Sequence, residues 1–389
     1  MNNDIDKKNS KISIKKKTPR EFDFKKFKRR HIFLRFLYFG WNYNGYVVQD
    51  NTEQTVESCI YDALLKTRLI ESCTNCNMQR CGRTDKGVSA FSQVISVTVR
   101  SNLKLGDDLI TPDDYIGLEF GSSSISDEID YVQALNGVLP KDIRVYAWAP
   151  LSSIPDSLPI SARFDCKRRT YHYHCDTTKY DLKKMNLACQ KLIGEHDFRN
   201  LCKMDVRNGV TNYVRTVYSA EVNDDGVFKI EASAFLYHQI RCIMTILMNI
   251  GSGLEEEEII DELLNIDKNP AKPQYPLADD LRLVLFDVFY DDKYQWYFGK
   301  NSSSLMNVIK ILEDYLSEYS TKASIIKSMI NELNKKIDVK LLPVLGGKYK
   351  PIMKRERCLP LEEALKKFNK NEQKKLKTQD NDGITSMIE

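Results

Sequence analysis

Residues 235–251 read FLYHQIRCIMTILMNIG, a helix that is apolar on nearly every side. Such a helix has no polar face to offer water, so the chain must fold in layers that cover it. Phe235, Leu236, Ile240, Ile243, Met244, Ile246, Leu247 and Met248 surround a single cation, Arg241. Leaving a buried cation unpaired costs several kcal/mol. Arg241 therefore meets an anion, either a carboxylate or an RNA phosphate, or it snorkels to the surface. His238 lies one turn earlier on the same face.

The rest of the chain supplies the covering layers. His31–Phe39 is an aromatic-rich apolar run that suits a buried strand. Val56, Cys59, Ile60, Ala63 and Leu64 recur at helical spacing, with Thr52 as the expected N-cap. Phe91, Ile95, Val97 and Val99 alternate with polar residues, the pattern of a half-buried strand. Residues 104–128 are acidic and rich in Gly and Ser, hence a long loop. A short helix over 131–136 and a strand over 143–151 complete the first half. The second half has a strand at 168–175, a helix stopped by Gly194, and a hairpin around Asp224-Asp225-Gly226 whose turn length the sequence leaves open. The apolar helix, a second helix at 255–265 and a strand at 281–290 follow.

The order β-α-β-β-α-α-β is a variant of the ferredoxin-like split βαβ unit, and the first half is a looser version. The expected fold class is α+β: two such domains sharing a largely antiparallel sheet, plus a helical C-terminal extension. The expected divisions are a basic arm at 1–30, an N-terminal subdomain at 31–160, a C-terminal subdomain at 161–291, and a mainly helical extension with a basic tail at 292–389.

Charge is unevenly spread. Residues 1–30 carry 12 Lys/Arg against 4 Asp/Glu, a net of 12 − 4 = +8, so the remainder of this +4 chain sums to −4. An arm this polar reads as disordered, and serves as an import patch, a nucleic-acid tether or a solvated tail. A nuclear or cytoplasmic setting fits the ten cysteines, which are expected to be reduced thiols. No apolar run of about 18 residues predicts a membrane span.

The chemistry-bearing residues are few. Cys73 and Cys76 have a zinc-like spacing, but no second pair completes four ligands. Residues 80–91, RCGRTDKGVSAF, place one carboxylate, Asp85, among Arg80, Arg83 and Lys86, between Gly82 and Gly87. Alone, that acid is a turn residue, a salt-bridge partner or a catalyst. Tyr171 follows Lys167, Arg168 and Arg169, with Arg163 close by. Cations interleaved with aromatics suit an RNA surface, where bases stack on rings and phosphates meet Arg and Lys.

GRTDKGV (82–88), ARFDCKRRTYHY (162–173), GEHDF (194–198) and AFLYHQIR followed by GSG occur in an order that resembles the TruA family of tRNA pseudouridine synthases. The likeness runs from about residue 31 to 291. Further stretches, among them FRNLCKMDV and YKPIMKR, resemble the eukaryotic subgroup acting on positions 38 and 39 of the anticodon stem-loop. The resemblance implies a basic cleft between two domains, tRNA as partner, no cofactor and no metal, and by family habit a homodimer. It implies that Asp85 is the catalytic aspartate and that Arg83 fills the space left by a flipped nucleotide. Tyr171 is then the tyrosine stacked on uracil, Arg241 the arginine paired with the aspartate, and Leu281 a pocket leucine. Arg80, Lys86, Arg163, Lys167, Arg168, Arg169 and His238 are assigned to RNA contact. Two rivals stand beside this reading: action on other tRNA uridines, and a non-catalytic tRNA-binding or folding protein. One departure is local: where the family has Gly-Leu near the end of the domain, this chain has Asp280-Leu281.

Overall fold

The computed structural model describes residues 22–370 apart from 51, 118–121, 152–159, 207–208, 301 and 337–348. Most of the basic arm and of the basic tail thus lies outside the described residues. The fold begins inside the expected arm. A short 3-10 turn at Phe24–Lys26 leads into strand β1, Lys28–Tyr38, and Arg30 is buried between Asp108 and Glu128. Helix α1, Val56–Lys66, starts not at Thr52 but at Thr55, whose side chain accepts from the Ser58 amide in a capping box.

A two-residue strand β2, Gln79–Arg80, precedes the long β3, Ser89–Ser101. The loop over 104–128 carries a minimal strand β4, Leu109–Ile110, before α2, Tyr131–Asn136, and β5, Ile143–Pro150. The second half runs β6 (Arg168–His174), α3 (Leu182–Gln190), β7 (Gly194–Asp197), β8 (Val214–Val222) and β9 (Val227–Ala232). It continues with α4 (Gln239–Gly251), α5 (Ile259–Leu264) and β10 (Leu283–Phe289). The hairpin between β8 and β9 closes on Asn223, whose amide donates to the Val227 carbonyl, with Gly226 at φ +75°. That left-handed position explains the glycine.

The ten strands among the described residues join one mixed sheet, ordered β4-β1-β3-β10-β6-β9-β8-β7, with β5 on β1 and β2 on β3. The halves meet where β10 runs parallel to β3, pairing Val284 with Ser89 and Leu285 with Ala90, and antiparallel to β6, pairing Leu285 with Tyr171. The C-terminal subdomain thus lends its last strand to the seam, which lies directly after the loop of residues 81–88 that carries Asp85. The apolar helix behaves as its sequence demands: α4 is buried along most of its length and packs on α3.

Beyond the sheet, the extension opens with a long helix, α6, Ser302–Asn334. Its first turns cover the other sheet face through Val308, against Leu37, Tyr146 and Ala147. Residues 349–357 return to the second half, where the Glu255 carboxylate accepts from the Tyr349 hydroxyl and the Ile352 amide at 2.6 and 2.7 Å. Among the described residues no helix is long and apolar enough to cross a membrane.

Candidate active site

The loop carrying Asp85 is held from several directions. The Thr84 carbonyl accepts from the Tyr46 amide at 3.1 Å, and the Thr84 and Tyr38 hydroxyls are 2.7 Å apart. The Val88 amide donates to the Asp85 carbonyl at 3.2 Å, which closes a turn that Gly87 completes at φ +81°. Gly40 lies beneath: its amide donates to the Ser89 hydroxyl, and a Cβ there would collide with the Val88 carbonyl. Gly40→Ala is therefore expected to destabilise the protein by about 2–3 kcal/mol, read as a lower denaturation midpoint. A wild-type midpoint would show that the loop is not clamped from below.

The opposite wall comes from the start of α4. The Leu236 amide donates to the Gln239 side chain at 2.8 Å, which turns the chain tightly into the helix. His238 takes the left-handed conformation, φ +58°, unusual for a side chain of its size. The turn directs its buried ring onto Asp85, with Nε2 3.2 Å from Oδ2. Nδ1 is buried without a hydrogen-bond partner among the described residues. Arg241, one turn on, is also largely buried. Its Nε donates to the Ala278 carbonyl at 2.7 Å, and its Nη1 lies 3.5 Å from Asp280.

Tyr171 forms the floor. It sits in β6 between Leu285 of β10 and Ile230 of β9, 9% exposed, with its ring edge-on to Phe235 at 5.1 Å. Burial raises its phenol pKa well above the ordinary value, so the hydroxyl stays protonated at any working pH. Together Asp85, Tyr171, His238, Arg241, Arg83 and Leu283 line a cleft of about 660 Å³. That volume is in the range of small-molecule sites and accommodates one extruded nucleotide.

A family profile described as tRNA pseudouridine synthase matches residues 188–291. A human protein named tRNA pseudouridine(38/39) synthase is 40% identical over an alignment covering 90% of this chain and 79% of that one. The chain belongs to the tRNA pseudouridine synthase family. A yeast protein of the same name is 42% identical over 70% of this chain and 60% of its own length. The Archaeoglobus fulgidus protein named tRNA pseudouridine synthase A is 33% identical over 66% and 83%.

Within this pseudouridine synthase fold, the sequence-based site residues separate into groups. Asp85, Arg83, Tyr171, Arg241, His238 and Arg163 converge on the cleft. The expected pairing of Arg241 with Asp85 is replaced by two pairs, Asp85 with His238 and Asp280 with Arg241. Burial on α4 demanded an anion for Arg241 but could not say which one. His238, assigned to RNA contact, is instead buried against Asp85.

Three other cations assigned to RNA already have protein partners. Arg80 pairs with Glu57, whose other oxygen accepts the Val48 amide at 2.9 Å. Arg168 pairs with Glu231 at 2.9 Å and lies over the Phe289 ring. Arg169 is a strut between the halves, donating to the carbonyls of Ser233, Cys81 and Arg163. Lys86 and Lys167 are exposed, as are Arg83 and Arg163.

Leu281 does not line this cleft. It is 51% exposed and lines a separate, largely apolar groove with Trp41, Phe91 and Leu312. Leu283, two residues on and in phase with Leu285 along β10, takes the place in the cleft. The alternation in LRLVLFDV carries that phase. Tyr237 was also missed: its ring is 42% exposed at the rim, lies 3.8 Å from the His238 ring, and has the Lys203 ammonium at 5.4 Å.

Proposed function

We propose that this protein isomerises uridine to pseudouridine at positions 38 and 39 of tRNA, with Asp85 as the catalytic carboxylate. The observation that carries the chemistry is a half-exposed aspartate, aimed by a buried histidine, in a nucleotide-sized cleft floored by a tyrosine. The positions rest on the human and yeast relatives, whose names specify 38/39.

The reaction breaks N1–C1′, turns the uracil and joins C5 to C1′. The hydrogen leaves C5 and N1 gains one, so nothing is consumed. Stacked in a helix, neither C5 nor C1′ is accessible, so the nucleotide is extruded into the cleft. Asp85 then either attacks C1′ or removes the 2′ proton, and both routes need it ionised and correctly aimed. His238 supplies the aim. Tyr171 holds the base by its ring and offers a protonated hydroxyl as a relay. Arg83 has no protein hydrogen bond or ion pair among the described residues, which suits it to fill the vacated stack. Arg163, Lys86 and Lys167 supply exposed charge for the backbone.

The test is direct. Unmodified tRNA is incubated with the protein, and pseudouridine is mapped by selective carbodiimide adduct formation and primer extension. Stops at 38 and 39 are expected. Stops only at other uridines would refute the positional assignment, and none at all would favour the binder.

Residues 1–21 hold seven Lys/Arg and three Asp/Glu. Deleting them is expected to weaken tRNA binding most at low salt and to flatten the dependence of log Kd on log salt, because fewer counterions are released. An unchanged slope would return the arm to a tail or import signal.

A homodimer has support in α6. Leu305, Val308 and Leu312 pack against the body, and Tyr315 and Tyr319 meet Phe39 and Trp41. The same 3-4 spacing runs on through Ile326, Met329 and Leu333, which are 57%, 62% and 60% exposed. A repeating apolar seam of this kind pairs helices, and a second copy brings an identical seam. Sedimentation of the wild type as a dimer and of I326E/M329E as a monomer is the expected result. A monomeric wild type would remove the proposal.

A further inference from the structure

We propose that Asp280 is a positioning residue of this active site: it holds Arg241 in place and seats the catalytic loop against it. This inference rests on the functional reading above.

Two contacts carry it. Asp280 Oδ2 lies 3.5 Å from Arg241 Nη1, the ion pair of a largely buried guanidinium on α4. On the other side, a Cβ placed on Gly87 would lie 2.7 Å from Asp280 Oδ1. Gly87 is two residues from Asp85, so the Asp280 carboxylate fills the space between the loop of one half and the helix of the other. It is fixed in turn by the chain: the Asp280 carbonyl accepts the Leu283 amide at 3.0 Å at the start of β10, the strand that joins the halves. The site then contains two acids with separate partners in alternation, Asp85 with His238 and Asp280 with Arg241.

Physical consequences follow from that alternation. Without Asp280, the hydrogen bond from Nε to the Ala278 carbonyl anchors only one edge of the guanidinium. The Nη groups then turn either toward Asp85, in competition with His238, or outward to an RNA phosphate. In both cases the cation leaves the place at the cleft wall that the ion pair gives it. The acid in this chain therefore fixes by an ion pair what would otherwise depend on the RNA.

Single-turnover conversion and equilibrium tRNA binding separate this role from a structural one. Asp280→Asn is expected to slow conversion about 10-fold while tRNA Kd stays within about 2-fold or tightens, the signature of an interaction that matters in the transition state rather than for binding. Asp280→Glu, which restores the charge, is expected to recover most of the rate. In the Arg241→Ala background, Asp280→Asn is expected to have no further effect, because its partner is already gone. A wild-type rate for Asp280→Asn, a Glu variant as slow as the Asn variant, or an undiminished effect in the Arg241→Ala background would each overturn the proposal. Thermal melting of each variant identifies a rate loss caused by unfolding, and a loss of that kind in both variants would also overturn it. Failure of the wild type itself to convert uridine would instead refute the functional reading on which this rests.

Discussion

Asp85→Asn is expected to reduce pseudouridine formation by about 10⁴-fold or more while leaving tRNA affinity within about 3-fold, because the substitution keeps shape and removes the one group placed to react. Asparagine occupies the same space in a loop whose backbone is fixed by Tyr46, Tyr38 and Gly40. Its side chain still lies beside His238 Nε2, so the local contact survives. What it lacks is the negative charge, and neither attack on C1′ nor removal of the 2′ proton proceeds without it. Single-turnover conversion beside a filter-binding isotherm measures both quantities. Conversion by the variant at a rate near wild type would mean that another group does the chemistry.

Arg241→Ala is expected to lower the conversion rate by about 10²–10³-fold, the usual scale for removing a pre-placed charge from a closed site. Its guanidinium is only 13% exposed on its side chain and lies among Asp85, Asp280 and the base-binding floor. Removal leaves the Asp280 carboxylate without its partner and opens a gap where Nε met the Ala278 carbonyl. The binding loss is expected to be smaller, because so buried a cation has little access to the phosphate backbone. Equal losses in rate and affinity would identify Arg241 as a phosphate contact instead.

The sequence carried the secondary structure well wherever a periodic apolar face existed. β8, β9 and α4 are cases in point, since alternation or an unbroken apolar surface left them one way to be buried, whereas β3 is not the half-buried strand expected: Ser92 and Ser96 are buried with the apolar residues and Phe91 is 43% exposed. β7 was missed for the converse reason: Gly194–Asp197 has no alternation and owes its strand geometry to pairing with β8 at the sheet edge. The parallel seam of β10 with β3 brings together residues nearly two hundred positions apart, and no local pattern encodes that register.

The site was legible in its membership more than in its pairing. Asp85, Tyr171 and Arg241 stand in recognisable motifs, and the fold brings them to one cleft. The exchange of partners, with His238 on Asp85 and Asp280 on Arg241, depends on the left-handed turn at His238 and on where residues 278–280 cross α4. Cations were the least legible group. Charge count cannot distinguish Arg169, which ties the halves together, from Arg163, which is exposed in the cleft. That difference is set by which carbonyls the fold leaves in need of a donor.

The most direct measurement of the central claim follows the hydrogen on C5, because isomerisation detaches it and simple binding does not. With tRNA carrying tritium at C5 of its uridines, the wild-type protein is predicted to release label in proportion to pseudouridine formed, and Asp85→Asn to bind the same RNA and release none above background. Release by Asp85→Asn at the wild-type rate, or none from the wild type on RNA that it demonstrably binds, would contradict the account.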